Sequence, residues 1–403
     1  MGEPSRVKVI GPLVPYVAGF RAELEAEGYR RGPVADQLRV MAHVSRWMEA
    51  RVIGVGDLTP ARIEEFLVAR LEAGYTLWLS AKGVSPLMDH LHSLGVVPVP
   101  AVVPPSTQAE LLLEAFRIYL AEERGLAPGT VSSDVYIART FLASRPQEDL
   151  GLERLKPVEI VAFVKEQCEQ RSAAYVTAGL RAFLRFCHLS GRTPRPLASA
   201  VPKVASWRLA TLPKALDAGM VKMLLSSCDR RTTYGRRDFA VLTVLVRLGL
   251  RSGEVTALRL EDIDWRAGVL LIRGKGPKLE QLPLPADVGD AVASWLRRGR
   301  PRCAAREVFT RVRAPHGPLC SSGISAIVYA ACRRVGVPPV SAHRLRHTAA
   351  TEMLRAGAGL AEIGQVLRHQ SMLTTAIYAK VDRASLRELA SPWPTTNGLV
   401  VQL

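Results

Sequence analysis

Apolar residues recur at helical spacing along most of the chain, and one short region departs from that spacing. In the second half of the chain the helical pattern covers residues 217–228, 236–259, 286–298, 322–334, 343–357, 360–368 and 372–388. Gly268 to Leu284 alternates instead as two β-strands around a Gly-Lys-Gly-Pro turn. These patterns predict a mainly α fold with a small β-hairpin or sheet, so that the second half is an α+β domain.

The first half of the chain contains an internal repeat. Residues 1–100 and 110–195 are each predicted to form several amphipathic helices, and corresponding positions keep an offset of 96 or 97. The matched pairs include Phe20 with Phe116, Gly28 with Gly125, Pro60 with Pro157, and Gly95 with Gly191. Coincidence is the alternative, because helices rich in leucine and alanine share apolar spacing by necessity. The agreement of proline and glycine positions favours two copies of one helical module.

Two links separate these regions. The prolines at 98, 100, 104 and 105 lie between the two helical regions and predict an extended linker. The second link, Pro202 to Pro213, is followed by the second half of the chain and carries basic residues. It suits contact with a phosphate backbone, although a solvated loop would have the same composition.

The charge balance indicates a polyanionic partner. The 403 residues include 54 Lys and Arg against 37 Asp and Glu, a net charge of +17. Nucleic acid is the usual partner of such a chain, and a membrane surface is the competing one, but no span or anchor pattern is found. Six cysteines without a C-x-x-C pair argue against a zinc ribbon or disulfide framework and indicate a reducing cytoplasm. The length favours two or three domains.

Taken singly, the candidate functional residues have ordinary structural explanations. Arg251 and Glu254 are three apart and would form a local ion pair on a helix. Lys275 lies between two glycines at the predicted turn, where a lysine is usually solvated. A phosphate-binding P-loop is excluded there, because Gly268 and Gly274 enclose five residues and Gly276 follows the lysine.

The histidines and the tyrosine of residues 343–378 also have such explanations. His343 and His347 are four apart, a spacing that can chelate a metal, but two arginines lie between them and would repel a cation. His369 alone would be structural, and Tyr378 alone would pack its ring in an apolar helix. We therefore predict no metal site here.

The order and spacing of these residues together resemble the active site of the tyrosine recombinase (phage integrase) family. The resemblance covers residues 212–389 and rests on four motifs: G-L-R-x-x-E at 249–254, G-K-G-x-K at 274–278, H-x-L-R-H-T at 343–348, and the spacing of His369 from Tyr378. The catalytic residues that it implies are Arg251, Lys275, His343, Arg346, His369 and Tyr378.

The resemblance also implies a reaction. The hydroxyl of Tyr378 would attack a DNA phosphodiester, forming a 3′-phosphotyrosyl link and releasing a 5′-hydroxyl. His343 would be the general base, Lys275 would protonate the departing oxygen, and His369 and the two arginines would hold the phosphate. No cofactor, nucleotide or metal is implied, because the arginines supply the charge and the covalent link conserves the bond energy.

The family resemblance implies partners and domains as well. Members exchange strands of double-stranded DNA at specific sites through a Holliday junction, so we expect a homotetramer on DNA, a monomer or dimer off it, and an accessory recombinase or host factor as a further partner. The expected location is the nucleoid in the cytoplasm. The predicted domains are an N-terminal helical domain that is a degenerate copy of the core-binding module (1–100), a helical core-binding domain that clamps DNA (106–199), a basic linker (200–213), a catalytic domain (214–389) and a tail (390–403). The resemblance implies that the two helical domains together clamp the duplex opposite the catalytic domain.

Two positions depart from the family pattern. Arg368 stands where a glycine is common, and Glu280 stands where the hairpin often carries a basic residue. Integration, excision and resolution share one chemistry, as do phage, transposon and chromosomal roles. Two alternatives remain at the sequence level: a type IB topoisomerase that relaxes DNA, and a DNA-binding protein of the same fold whose catalysis has lapsed.

Overall fold

The computed structural model describes residues 3–99, 104–146, 149–204, 215–274, 279–368 and 375–381. The chain forms two compact units: one is bounded by Pro100 and Arg208, and the other combines Met1–Val99 with Leu209–Leu403. Within the described residues, no helix has the length and apolar content that a membrane span requires.

The N-terminal module comprises helices α1 (Val17–Ala26), α2 (Arg31–Ala50), α3 (Pro60–Glu72) and α4 (Ala81–Ser93). The apolar faces of these amphipathic helices meet in one core, which includes Phe20, Met41, Phe66 and Leu87. Helix α3 begins where Thr59 caps the N–H of Arg62 and Pro60 takes the first position. Proline is favoured there because its missing N–H has no helical partner.

The middle module comprises helices α5 (Gln108–Ile118), α6 (Pro128–Ala143), α7 (Pro157–Gln170) and α8 (Ala173–Leu189). Its core is rich in phenylalanine, and the rings of Phe116 and Phe183 meet edge to face with centroids 5.2 Å apart.

The two modules share local features at the matched positions. Gly28 and Gly125 both have positive φ, of 87° and 57°, and so do Gly95 and Gly191, with φ of 68° and 70°. These shared turns, and the common order of four helices, support the proposal that the modules are copies of one unit.

The C-terminal part is built around a central helix. It comprises helices α9 (Ala218–Ser226), α10 (Thr233–Leu248), α11 (Ser252–Ala257), α12 (Ala286–Arg298), α13 (Ser321–Arg334), α14 (Ala342–Arg355) and α15 (Leu360–Val366). Helix α10 is buried on most of its surface and packs against α12 and α14. Its apolar sequence makes this possible, since burying such a run removes a large apolar area from water. On α12, the indole of Trp295 is fully buried and donates to the carbonyl of Val308 at 2.8 Å.

A small antiparallel sheet accompanies these helices, as predicted. Strand β1 (Ile263–Asp264) pairs with β2 (Val269–Arg273), and β2 pairs with β3 (Leu279–Pro283). Leu270 lies opposite Leu282, and both are buried against the helices, whereas the alternate residues face outward. The mainly helical fold with a small β-sheet is therefore confirmed.

Two predicted helices differ from the structure. The pattern over 236–259 corresponds to two helices, because α10 ends at Leu248 and Gly249 takes a left-handed conformation with φ of 59°. The pattern over 372–388 corresponds, in its described part, to a 3₁₀ helix at Ala376–Val381 rather than to an α-helix.

Candidate active site

The corner between α10 and α11 positions the first arginine of the site. Gly249 turns the chain, and Arg251 follows as the residue that precedes the first turn of α11. The backbone N–H of Arg251 donates to Oε2 of Glu254 at 2.8 Å, and Nη1 of its guanidinium donates to Oε1 at 2.7 Å. The G-L-R-x-x-E motif thus fixes the arginine to its own helix start, and the predicted ion pair is present.

The second arginine is held at the ends of two helices. Arg346 lies on the buried face of α14 with 2% of its surface exposed. Its Nη1 donates to the carbonyl of Gly249 at 2.6 Å, and its Nη2 donates to the carbonyl of Leu367. These carbonyls lie just beyond α10 and α15, where the helix dipoles favour a cation. Burial and the charge of Arg251 lower the pKa of Arg346 to about 10, so the guanidinium remains charged at neutral pH.

A third arginine completes a cluster around one carboxylate. Nη2 of Arg368 donates to Oε2 of Glu254 at 2.7 Å, and the carbonyl of Arg368 accepts from Arg251 at 3.2 Å. The same carboxylate oxygen lies 4.0 Å from Nη1 of Arg346. Burial raises the pKa of Glu254, but the hydrogen bonds and charge of Arg368, together with those of Arg251, outweigh it and hold the pKa below its usual value. Glu254 is therefore a carboxylate that joins three guanidinium groups.

Arg368 adopts an unusual backbone conformation to reach that position. Its φ is 54°, in the left-handed region where glycine is favoured. The glycine common at this position in the family would adopt the same turn without strain. The arginine in this chain adds a buried cation instead, so the departure noted in the sequence alters the electrostatics of the site.

Tyr378 is buried and hydrogen-bonded to a histidine. Its hydroxyl lies 2.7 Å from Nδ1 of His347, and its ring packs with Ala350, Ile363 and Leu367. Burial raises the pKa of Tyr378 to about 12, although Arg346 acts in the opposite direction. Burial and the neighbouring His343 and Arg346 lower the pKa of His347 to about 4, so its imidazole is neutral at neutral pH and can accept a hydrogen bond from the hydroxyl.

His343 lies one turn before His347 on α14, and the two ring centroids are 4.4 Å apart. The residue is exposed, yet partial burial of its ring and the charges of Arg346 and Arg251 lower its pKa below 6.5. A neutral, accessible imidazole beside two guanidinium groups is suited to accept a proton from a group bound there.

The structure brings four of the six predicted residues into one site. Arg251, His343, Arg346 and Tyr378 surround the end of α10, whereas Lys275 and His369 lie outside the described residues. Sequence reasoning weighed His347 only as a metal ligand and did not assign it a role beside Tyr378. Its spacing of four from His343 placed both rings on one helix face and could have indicated this. Within the described residues, no group of three or more potential metal ligands is found.

Comparison with known proteins identifies the family. The phage integrase family matches residues 214–385 of the chain. A protein of Sinorhizobium fredii named as an integrase/recombinase, y4rA, is 39% identical over 392 residues, which are 95% of this chain and 95% of that protein. The chain belongs to the phage integrase family of tyrosine recombinases. Members of this family cleave and rejoin DNA.

Two further comparisons extend this assignment. Tyrosine recombinase XerC of Oceanobacillus iheyensis is 30% identical over 306 residues, which are 72% of this chain and 98% of that protein. The solved structure of the XerH site-specific recombinase, in a post-cleavage complex with a palindromic difH substrate, matches 72% of this chain and 98% of its own. At 17% identity and a TM-score of 0.56, that likeness shows that this recombinase shares the fold.

Proposed function

We propose that this recombinase cleaves DNA with Tyr378 as the nucleophile and rejoins it through a 3′-phosphotyrosyl intermediate. The observation that carries the proposal is the convergence of a tyrosine, two histidines and buried guanidinium groups on one end of α10. A phenol needs proton removal and a positive surround before it can attack a phosphodiester. The residues around Tyr378 supply both.

Arg251 and Arg346 are proposed to hold the non-bridging oxygens of the scissile phosphate. Both guanidinium groups are fixed by hydrogen bonds to Glu254 or to helix-end carbonyls before DNA arrives. Fixed donors stabilise charge that develops in a transition state because they need no reorganisation during the reaction. Arg251 is 43% exposed and is therefore open to a ligand, whereas Arg346 is 2% exposed and reaches a phosphate only after the surrounding residues rearrange.

Two further residues, His343 and Lys275, are proposed to transfer the protons. His343 acts as the general base for the tyrosine, since its lowered pKa keeps it neutral at neutral pH. Lys275 protonates the departing 5′-oxygen, and His369 hydrogen-bonds the phosphate. These last two roles rest on the family motifs.

The buried tyrosine sets a requirement for this mechanism. Only 1% of its surface is exposed, and its hydroxyl is bonded to His347. A phosphodiester of duplex DNA cannot enter that position, so the segment 375–381 must rearrange before the hydroxyl reaches its target. We infer that the arrangement described here is a resting state that DNA binding opens.

The assembly follows from the reaction. Exchange of strands between two DNA sites requires one active site for each of four strand cleavages, so we propose a homotetramer on synapsed DNA that passes through a Holliday junction. The net charge of +17 suits binding to phosphate backbones with a steep salt dependence. We further propose that the protein acts on nucleoid DNA in the cytoplasm, with an accessory recombinase or host factor as a further partner.

Covalent trapping tests the proposal. Nicked duplexes from the flanks of the gene are incubated without divalent metal with the wild-type protein, with Tyr378→Phe, and with Tyr329→Phe. Tyr329 is a matched control, because it is 47% exposed on α13 of the same domain. We expect a denaturation-resistant protein–DNA adduct with the wild type and with Tyr329→Phe, and none with Tyr378→Phe.

Two outcomes would contradict the proposal. An adduct that persists in Tyr378→Phe would mean that another residue is the nucleophile. Tight, salt-sensitive binding by the wild type without any adduct on the same duplexes would indicate a protein whose catalysis has lapsed.

A further inference from the structure

Two imidazoles with different surroundings lie near the hydroxyl of Tyr378. His343 and His347 are four residues apart on one face of α14, and their ring centroids are 4.4 Å apart. The hydroxyl lies 2.7 Å from Nδ1 of His347, which is half-buried, whereas His343 is exposed. The mechanism proposed above uses His343 as the general base. It gives no role to the imidazole that the hydroxyl actually contacts.

The contact with His347 does not activate the phenol. The pKa of His347 is lowered to about 4 by burial and by its charged neighbours, and burial raises the pKa of Tyr378 to about 12. The neutral imidazole can therefore accept a hydrogen bond, but it is far too weak a base to take the proton of the hydroxyl. In this position the tyrosine stays protonated, and a protonated phenol is a weak nucleophile.

The two acceptors are separated by about one turn of α14. Tyr378 has 1% of its surface exposed and packs against the later part of α14 and against α15. His343 lies four residues earlier on α14, which corresponds to roughly 6 Å along the helix axis. The charges of Arg346 and Arg251 both act on His343, so it lies close to the guanidinium groups that would hold the phosphate. One acceptor thus lies beside the apolar packing, and the other lies beside the phosphate-holding charges.

We propose that His347 is a positioning residue that restrains the nucleophile. It holds the hydroxyl of Tyr378 in a withdrawn, protonated position, from which the hydroxyl moves to His343 for attack. The inference rests on the proposed function, in which Tyr378 is the nucleophile, and it names the residue that opposes the start of the reaction. Because the hydrogen bond stabilises only the withdrawn position, it lowers the population of the attacking position. His347 therefore slows cleavage, whereas a group that assists the chemistry would accelerate it.

The single-turnover rate of adduct formation on a saturating nicked duplex tests this sign. His347→Leu removes the acceptor, and the net contribution of one hydrogen bond corresponds to a factor of about 2 to 12 in an equilibrium. We expect the rate to increase by a factor in that range. His347→Phe also lacks an acceptor but keeps an aromatic ring, and it should show the same increase if the leucine variant does not fold.

Two further variants serve as controls. His347→Asn offers an amide oxygen near the position of Nδ1, so it should keep the hydrogen bond and a rate close to that of the wild type. His188→Leu changes a half-buried histidine of the middle module, whose Nδ1 lies 3.0 Å from the carbonyl of Thr193. It should not accelerate adduct formation, because Tyr378 has no contact with that residue.

A second measurement reports the position of the tyrosine without any chemistry. The tyrosines of the full-length protein are replaced by 3-fluorotyrosine, and the fluorine resonance of Tyr378 is identified by its absence from Tyr378→Phe. Without DNA, this resonance should move towards the shifts of exposed tyrosines in His347→Leu and His347→Phe. It should keep the wild-type shift in His347→Asn and in His188→Leu.

The outcomes separate this inference from the proposed function. Unchanged or slower adduct formation in a folded variant that lacks the acceptor would overturn the inference, because His347 would then be neutral or would assist the chemistry. An unchanged fluorine resonance in that variant would also overturn it. Failure of the proposed function would instead remove the adduct from the wild type, while the resonance of Tyr378 would still respond to the loss of His347.

Discussion

Glu254 determines how much positive charge the site presents to a phosphate. Its buried carboxylate contacts Arg251 and Arg368 and lies 4.0 Å from Arg346. With glycine at position 368, two guanidinium groups would share one carboxylate. With arginine there, the third cation neutralises the carboxylate, and the charges of Arg251 and Arg346 are both available to the transition state.

The first prediction concerns this third cation. We expect Arg368→Gly to slow adduct formation on a nicked duplex by about 10- to 100-fold, which corresponds to roughly 1.4–2.7 kcal/mol of transition-state stabilisation. The substitution also removes a charge-assisted hydrogen bond worth about 1.5–3 kcal/mol, and relief of the left-handed backbone offsets about 1–2 kcal/mol of that. Stability should therefore change less than the rate does.

A double-mutant cycle with Glu254→Gln checks that Arg368 acts through Glu254. If it does, the effects of the two substitutions on the rate are not additive, because each removes the same interaction. Arg368→Lys, which retains the charge, should recover part of the rate. Additive losses in the cycle would mean that Arg368 acts on the DNA by another route.

The second prediction concerns pH. A general base must be unprotonated, and burial with two nearby guanidinium groups lowers the pKa of His343 below 6.5. The single-turnover rate of adduct formation should therefore rise with pH through a midpoint below 6.5 and be level by about pH 7. In His343→Gln, the rise of the rate with pH below neutrality should be absent. A midpoint above 6.5 in the wild type, or an unchanged rise in the variant, would assign the base to another group.

At the scale of elements, the corner after α10 fixes the relative positions of three segments. A Cβ atom on Gly249 would lie 2.6 Å from Cδ2 of Leu367 and 3.4 Å from Cβ of Ala349. The carbonyl of the same residue accepts from Arg346. The glycine thus allows the end of α10, the middle of α14 and the end of α15 to meet at the site.

The third prediction tests this corner. Gly249→Ala combines a left-handed conformation, which costs about 1–2 kcal/mol, with displacement of Leu367, so we expect a loss of about 2 kcal/mol or more in stability. The rate of adduct formation should fall as Arg346 shifts. Gly253→Ala is the control, because a Cβ there has no neighbour within 4 Å and alanine favours the α11 helix. Comparable melting curves and rates for the two variants would contradict this role of Gly249.

Periodicity predicted most of the elements but not their corners. The pattern over 286–298 coincides with α12, and the alternation from Gly268 to Leu284 contains β2 and β3. The break at Gly249 was not visible, because apolar residues continue across it: Leu248, Leu250 and Val255 are all buried. A pattern of apolar positions records which residues face the core, and it does not record where the backbone turns.

The site was predictable from the sequence only in part. The motifs predicted Arg251 and Arg346 as site residues, and the ion pair of Arg251 with Glu254 lies within one motif. The link between Arg368 and Glu254 joins residues 114 positions apart, and no local pattern reports such a contact. The burial of Tyr378 likewise depends on packing against α14 and α15, which spacing alone cannot show.

At the scale of the whole molecule, the N-terminal module belongs with the C-terminal part and not with the middle module that follows it in sequence. The backbone N–H of His316 donates to the carbonyl of Glu27 at 3.1 Å. Burial raises the pKa of Glu27, and Arg311 acts in the opposite direction, so this arginine also lies near the contact. A cavity of about 850 Å³, lined in part by Tyr29 and His316, lies beside it. The hydrogen bond between Glu27 and His316 is therefore a point at which a small change can be used to test the contact.

Gly28 is the residue whose size this contact depends on. Its φ is 87°, and a Cβ there would lie 2.1 Å from Cδ2 of His316. Gly74 offers a matched control in the same module: its φ is 79°, and a Cβ there would have no neighbour within 4 Å. Alanine should cost about 1–2 kcal/mol of backbone strain at either position. Only at position 28 would the added Cβ also contact His316 of the C-terminal part.

The last prediction uses hydrogen exchange to distinguish backbone strain in the N-terminal module from disruption of its contact with His316. In Gly28→Ala, the amide of His316 should lose protection, because displacement of the imidazole moves its backbone away from the carbonyl of Glu27. In Gly74→Ala, the N-terminal module should be destabilised to a similar extent while the His316 amide keeps the protection of the wild type. If the two variants exchange equally at His316, the module is held to the catalytic domain by contacts other than this one. If only Gly28→Ala exchanges faster, the absence of a side chain at position 28 is what allows the hydrogen bond between Glu27 of the N-terminal module and His316 of the C-terminal part.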